Sequence, residues 1–179
     1  ANSQVTQQIN NGVLSTDVRD ASNAVVASPS FTMSAVSVST SQQTATGTFG
    51  SSAQRISVDN PGGAANGWTL ALNATTPGTG KWTSGGNNYA YNGTAATGQL
   101  TLDPSVATLT SVVGASTNIT KGTSAAFTAS TPITILTAAS SASQVWNGYL
   151  TGVGLSQTIP AGQAGGTYTF SMTQTVTAS

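Results

Sequence analysis

The sequence predicts an all-β protein: an antiparallel β-sandwich of jelly-roll-like form with an extended N-terminal arm. Three observations lead there. Short apolar runs recur with a period of two, the spacing that puts alternate side chains on one face of a strand. Gly, Pro, Asn and Ser cluster between those runs and mark turns. Helical spacing of apolar residues, at every third and fourth position, is missing from most of the chain.

The elements follow in chain order. Residues 1–12, "ANSQVTQQINNG", hold too few apolar groups to bury themselves. In extended form Val5 and Ile9 share one face with Gln7 between them, while Thr6 and Gln8 take the other. This stretch reads as an arm and as a candidate donor strand for the sheet of another subunit. Asn11-Gly12 is also a strong hairpin signal, and the hairpin reading pairs residues 4–9 with 13–18 of the same chain.

Residues 13–179 are expected to form a single β-sandwich domain. Val13–Val18 is its first strand. Phe31, Met33 and Ala35 alternate, then the phase shifts to Val36 and Val38, as at a bulge. Ile56 and Val58 precede the turn "DNPGG", and Trp68, Leu70 and Leu72 alternate clearly. Shorter strands are expected at Tyr89–Tyr91, Leu100–Leu102, Leu109–Val113, Phe127 and Ile133–Leu136, with a short helix at Ala138–Val145. Val145–Leu155 and a closing strand over 167–179 complete the set. In that last strand Tyr168, Phe170, Met172, Val176 and Ala178 face one way; Thr169, Ser171, Thr173, Thr175 and Thr177 face the other. Residues 75–94 are Gly-rich and read as an exposed excursion.

Charge is nearly absent. Four basic and four acidic residues cancel, which leaves no footprint for nucleic acid or for an anionic membrane surface. No apolar run approaches the roughly 20 residues that span a bilayer. Soluble domains ordinarily stay dispersed through charge on about a quarter of their residues. Only 4% are charged here, so the composition favours association with further copies of the chain. The regular alternation and the aromatic residues argue against disorder.

The missing residue types restrict chemistry. The chain has no His, no Cys and no Glu. Ser–His and Cys–His nucleophile pairs are thereby excluded, as are ordinary zinc sites. Neither lysine has Ser three residues before it, and no Asp-Thr-Gly or Asp-Ser-Gly occurs. The expectation is a non-enzymatic protein without a cofactor.

Some residues admit a binding role beside a plain one. Trp82, Tyr89 and Tyr91 could stack on sugar rings, or pin the excursion onto the sheet. Asp59 with Asn60, and Asp17 with Asp20, could ligate calcium, though turn capping is the simpler use. Asn73, Asn92 and Asn118 begin Asn-x-Thr sequons and are possible N-glycosylation sites. The composition leads to the expectation of a secreted, extracellular or cell-surface chain, and the start at Ala1 without Met to that of a removed signal peptide.

Two blocks carry a family resemblance. "RISVDNPGGAANGWTLALNAT", residues 55–75, contains Trp68-Thr69-Leu70 and resembles the first Trp-x-Leu motif of WxL-domain surface proteins. "QTIPAGQAGGTYTFSMTQTV", residues 157–176, resembles the closing part of that family, and also the ending of camelysin-type biofilm fibre or pilus subunits. Where the WxL family has its second Trp-x-Leu, this chain reads Gln174-Thr175-Val176. The resemblance implies an extracellular β-sandwich that ends in a long strand. It also implies one of two roles: attachment to cell-wall or surface glycans, or assembly into a fibre. Composition and resemblance together predict a structural subunit of an extracellular filament or pilus, joined by strand donation with Val5, Gln7 and Ile9 at the subunit interface. A cell-wall or glycan-binding module, or a surface-layer protein, is the alternative.

Overall fold

The computed structural model describes residues 3–179, which form an antiparallel all-β sandwich with no α-helix among the described residues. Its first layer is two four-stranded sheets that meet at a bend. Three chain segments each cross the bend and contribute a strand to both halves. They are β2 (Gln43–Phe49) with β3 (Arg55–Pro61), β7 (Leu100–Asp103) with β8 (Thr108–Val113), and β12 (Val145–Thr151) with β13 (Val153–Ile159). One half runs β1 (Ser15–Arg19), β3, β12, β8; the other runs β2, β13, β7, β10 (Ala125–Ala126). The bend needs backbone that only glycine adopts cheaply. Gly50 (φ 89°) and Gly152 (φ 75°) supply it, and the Gly152 amide donates to the Gly50 carbonyl at 2.9 Å. The third crossing is a 3-10 turn, Pro104–Val106, capped by the Asp103 carboxylate.

The second layer runs β14 (Met172–Ala178), β4 (Trp68–Ala74), β11 (Ile133–Ala138), β9 (Ile119–Lys121). Alternation decides which side faces the core. Trp68, Leu70, Leu72 and Ala74 of β4 are buried, while the residues between them are half-exposed. In β11 a bulge between Thr134 and Leu136 resets the phase, which is why Ile135 and Leu136 are both buried. Opposite them lie Ile56 and Val58 of β3 and Trp146 and Leu150 of β12, and the indoles of Trp68 and Trp146 meet at 5.5 Å. One continuous apolar cluster links all of these residues. Lys121 ties the layers at one edge, its ammonium donating to the carbonyls of Ser105 and Ala107, each at 2.6 Å.

Several expectations change. Ala138–Val145 is not a helix: Ala138 ends β11, Val145 starts β12, and a turn closed by Ala142 N to Ala139 O lies between. Val145–Leu155 is two strands, divided by the bend at Gly152. Phe31 and Met33 are not in a strand. They lean on the outer edge of β2, where Ser34 N donates to Thr46 O at 2.7 Å and Phe31 packs on Phe49 at 4.6 Å. Asp59 and Asn60 lie within β3 rather than in a turn, and the buried Asn60 side chain clasps Ala64 N and O to close the loop that follows. Phe127 follows the two-residue β10 and fills the core against Tyr91.

Candidate assembly surface

The excursion at 75–94 folds back as a hairpin of β5 (Lys81–Ser84) and β6 (Asn87–Ala90). Its aromatics point inward. Tyr91 is fully buried and Tyr89 nearly so. Trp82 stacks on Tyr89 at 6.1 Å and on Phe170 at 5.2 Å, and Tyr91 meets Phe170 at 4.8 Å. Burial, and secondly the neighbouring Tyr168 phenol, push the Tyr89 pKa up to about 12. Gln157, buried in β13, fastens the hairpin: its Oε1 accepts from Trp82 Nε1 at 2.8 Å and its Nε2 donates to Ala90 O at 3.1 Å. These aromatics therefore pin the hairpin to the sandwich, and the Tyr91 ring offers no exposed face for a sugar.

Three of the four acids are spent on local structure. Asp17 pairs with Arg19 at 3.0 Å, Asp20 accepts the amides of Ser22 and Ala24, and Asp103 caps its 3-10 turn. No group of three acids that could hold a metal ion occurs among the described residues. The sequon amides also have internal partners. Asn73 Nδ2 donates to Ser130 O at 2.7 Å, Asn92 Nδ2 to Ala129 O at 3.3 Å, and Asn118 Nδ2 to Ser141 O at 3.3 Å. Asn118 is the exposed member of the three, in a turn with φ 65°. An open cleft of about 570 Å³ lies between β9, β10 and the start of β11, with Ala125, Ala126, Pro132 and Ile133 in its walls.

Three of the predicted site residues lie in one segment. Val5 is 93% and Ile9 90% exposed, and Gln7 reaches only the neighbouring Gln8 carbonyl. From residue 3 to residue 11 no backbone–backbone hydrogen bond forms within the described residues, so residues 4–9 do not form a hairpin with 13–18. The first fixed point is Gly12, whose amide donates to Pro61 O at 2.8 Å.

The closing strand forms an edge. β14 pairs with β4 over seven residues from Met172↔Ala74 to Ala178↔Trp68. This ladder places Val176 beside Leu70 and Gln174 beside Leu72. Thr173, Thr175 and Thr177 face outward and are exposed. Met172, Gln174 and Val176 face inward over β1, where Gln174 Nε2 donates to Thr16 Oγ1 at 2.9 Å. Sequence reasoning named Gln174 only as the start of Gln174-Thr175-Val176, where the second Trp-x-Leu is absent, and not as an inward polar residue. The signal was there: a polar residue on the inward phase of an alternating strand.

No known family, curated protein or solved structure matches this chain.

Proposed function

We propose that this protein is a structural subunit of an extracellular filament, and that neighbouring subunits are joined by donation of the arm, residues 1–12, to a sheet of the next subunit. One observation carries the reading. Val5 and Ile9 present apolar side chains almost wholly to solvent on a segment that makes no backbone–backbone hydrogen bond among the described residues, while the body forms its core without them. Two isolated apolar residues on such a segment gain burial and a hydrogen-bond ladder only by joining another surface. The shortage of charge removes the usual barrier to such contacts. The exposed uncharged edge of β14 is a feature that dispersed proteins protect.

Electron microscopy of the purified protein tests this reading. Long uniform fibres support it. Sheets favour a surface-layer role, and dispersed monomers that co-sediment with cell walls favour a wall-binding role. Deleting residues 1–10 should leave a folded body that does not polymerise and that binds a synthetic peptide of residues 1–10. Normal fibres from the truncated chain would exclude the arm as donor.

A further inference from the structure

The strand-donation reading leaves open which edge receives the arm, and the geometry points to the outer edge of β14 with Gln7 set opposite Gln174. The backbone comes first. At the ends of the β4–β14 ladder, Thr75 N donates to Ser171 O and Ser179 N to Gly67 O. Antiparallel bonding alternates along a strand, so the odd-numbered residues of β14 bond to β4. The amides and carbonyls of Met172, Gln174, Val176 and Ala178 then point to the outer edge. Among the described residues, no backbone hydrogen bond reaches them. This edge is seven residues long and free of charge, and its ladder with β4 has no bulge.

Side chains select the occupant. On its inward face β14 reads Met172, Gln174, Val176: apolar, amide, apolar. The arm reads Val5, Gln7, Ile9 in the same order at the same period. An antiparallel arm therefore sets Ile9 by Met172, Gln7 by Gln174 and Val5 by Val176. Gln8 and Thr6 fall on the outer face beside Thr173 and Thr175, polar against polar. The amide pair answers a deficit already in the body. Gln174 Nε2 is used on Thr16, while its Oε1 is buried and has no hydrogen-bond partner. A Gln7 amide beside it can donate to that oxygen. Every sheet in the body is antiparallel, and that pairing is the more stable per residue. The open cleft by β9 and β10 is a weaker acceptor. Its strands are only three and two residues long, and the bonded stretch of β11 nearby is interrupted by a bulge.

Disulfide trapping during assembly tests the register. The chain has no cysteine, so only introduced pairs report. Full-length protein carrying Ile9→Cys, mixed with full-length protein carrying Met172→Cys, should give a crosslinked hetero-dimer on non-reducing gels, because directly opposed residues fall within bonding reach. A dimer of Ile9→Cys with Val176→Cys would overturn the register. A dimer of Ile9→Cys with Thr134→Cys would overturn the edge but leave strand donation standing. Ile9→Cys and Met172→Cys in one chain should crosslink between molecules, and an intramolecular bond would overturn the proposal. Excess peptide of residues 1–10 should slow filament growth of the full chain. Its Gln7→Leu form should need roughly tenfold more peptide, since Gln174 Oε1 stays unpaired, whereas Thr6→Val on the outer face should act like the parent. Equal potency of the Gln7→Leu and parent peptides would remove the amide pair from the proposal's support.

Discussion

Replacing Gly148 by Ala sets two physical effects against each other. Gly148 sits in the middle of β12, paired to Val58 on one side and Ser111 on the other. Strand propensity alone favours Ala over Gly by about 0.5–1 kcal/mol. Packing says the opposite. Trp146 and Gly148 share a face, and the indole lies back over the glycine. A Cβ at 148 would meet Trp146 Cζ2, would lie 2.5 Å from Cη2, and would stand 2.6 Å from the Thr110 carbonyl oxygen. Comfortable carbon contacts begin near 3.5 Å, so something must move by about 1 Å. The indole has little room, being fully buried with Trp68 on it at 5.5 Å. The carbonyl belongs to β8, which is bonded to β12. Overpacking of this kind costs about 1–3 kcal/mol. With two stiff neighbours we expect the upper part of that range to outweigh the propensity gain, for a net loss of about 2 kcal/mol. For a chain of this size that is a fall in Tm of roughly 4–8 °C. Urea unfolding followed by tryptophan emission measures it, with an unchanged slope expected. Combining Gly148→Ala with Trp146→Phe should cost less than the two losses added, because the smaller ring frees the space. A Gly148→Ala protein as stable as the parent, or more stable, would refute the packing account.

The remaining predictions follow from the same structure. Tyr89 is raised to about 12 when folded and titrates near 10 when unfolded, so the folded state favours its neutral form. Its contribution is fully present below about pH 10 and is lost as pH rises from there towards 12. Tyr89→Phe should flatten this alkaline decline in denaturant midpoints. Assembly should depend only weakly on ionic strength, because few contacts are screenable; filaments that dissolve in moderate salt would contradict this. The hydroxyl face of Thr173, Thr175 and Thr177 should be covered by a neighbouring subunit or carry sugar. A native mass equal to the bare chain, together with solvent-exposed β14 threonines in the filament, would count against that. Elemental analysis should find no stoichiometric zinc, iron or copper.

What was legible in the sequence was the strand whose two faces differ. β4 and β14 alternate apolar with polar because one face meets the core and the other water, and both were read from that pattern, though the closing strand was expected over 167–179 and β14 begins only at Met172, with Thr169 making a single bridge to Thr83. β2 was missed because "QTATGTF" buries only Ala45 and Phe49, and its remaining positions are small or polar. The bend that splits β12 from β13 hangs on Gly152, and a lone glycine in a strand pattern looks the same whether it marks a bend, a bulge or a close approach. The Ala–Ser run at 138–145 had helical propensity but no apolar stripe to hold it against a core. The fate of Trp82, Tyr89 and Tyr91 depended on Phe127, Gln157 and Phe170, which lie far along the chain and meet them only in the fold. Within the candidate interface, the arm's two-faced pattern was visible. The closing strand was legible as an uncharged strand that something must cover, but which of its sides is free was not, since that is a matter of topology rather than of sequence.

Two polar residues on inward phases, Gln157 and Gln174, show how such a fold gains specificity. Each interrupts an apolar stripe, and an unpaired buried amide atom costs about 1–3 kcal/mol. Gln157 avoids that cost within the chain by joining Trp82 and Ala90. Gln174 avoids only half of it, through Thr16. A backbone ladder is indifferent to register, but a shift of two residues would set Met172 against Gln7 or Asn11 and Val176 against Ser3 or Gln7. Such a shift would set Gln174 against Val5 or Ile9 and leave its oxygen buried without a donor. A shift of one would turn Val5 and Ile9 to the outer face. Only one antiparallel alignment satisfies both the amide and the apolar pairs. On this account the ladder supplies most of the affinity between subunits, and the Gln7–Gln174 pair, with the apolar pairs on either side of it, sets where along the edge they join.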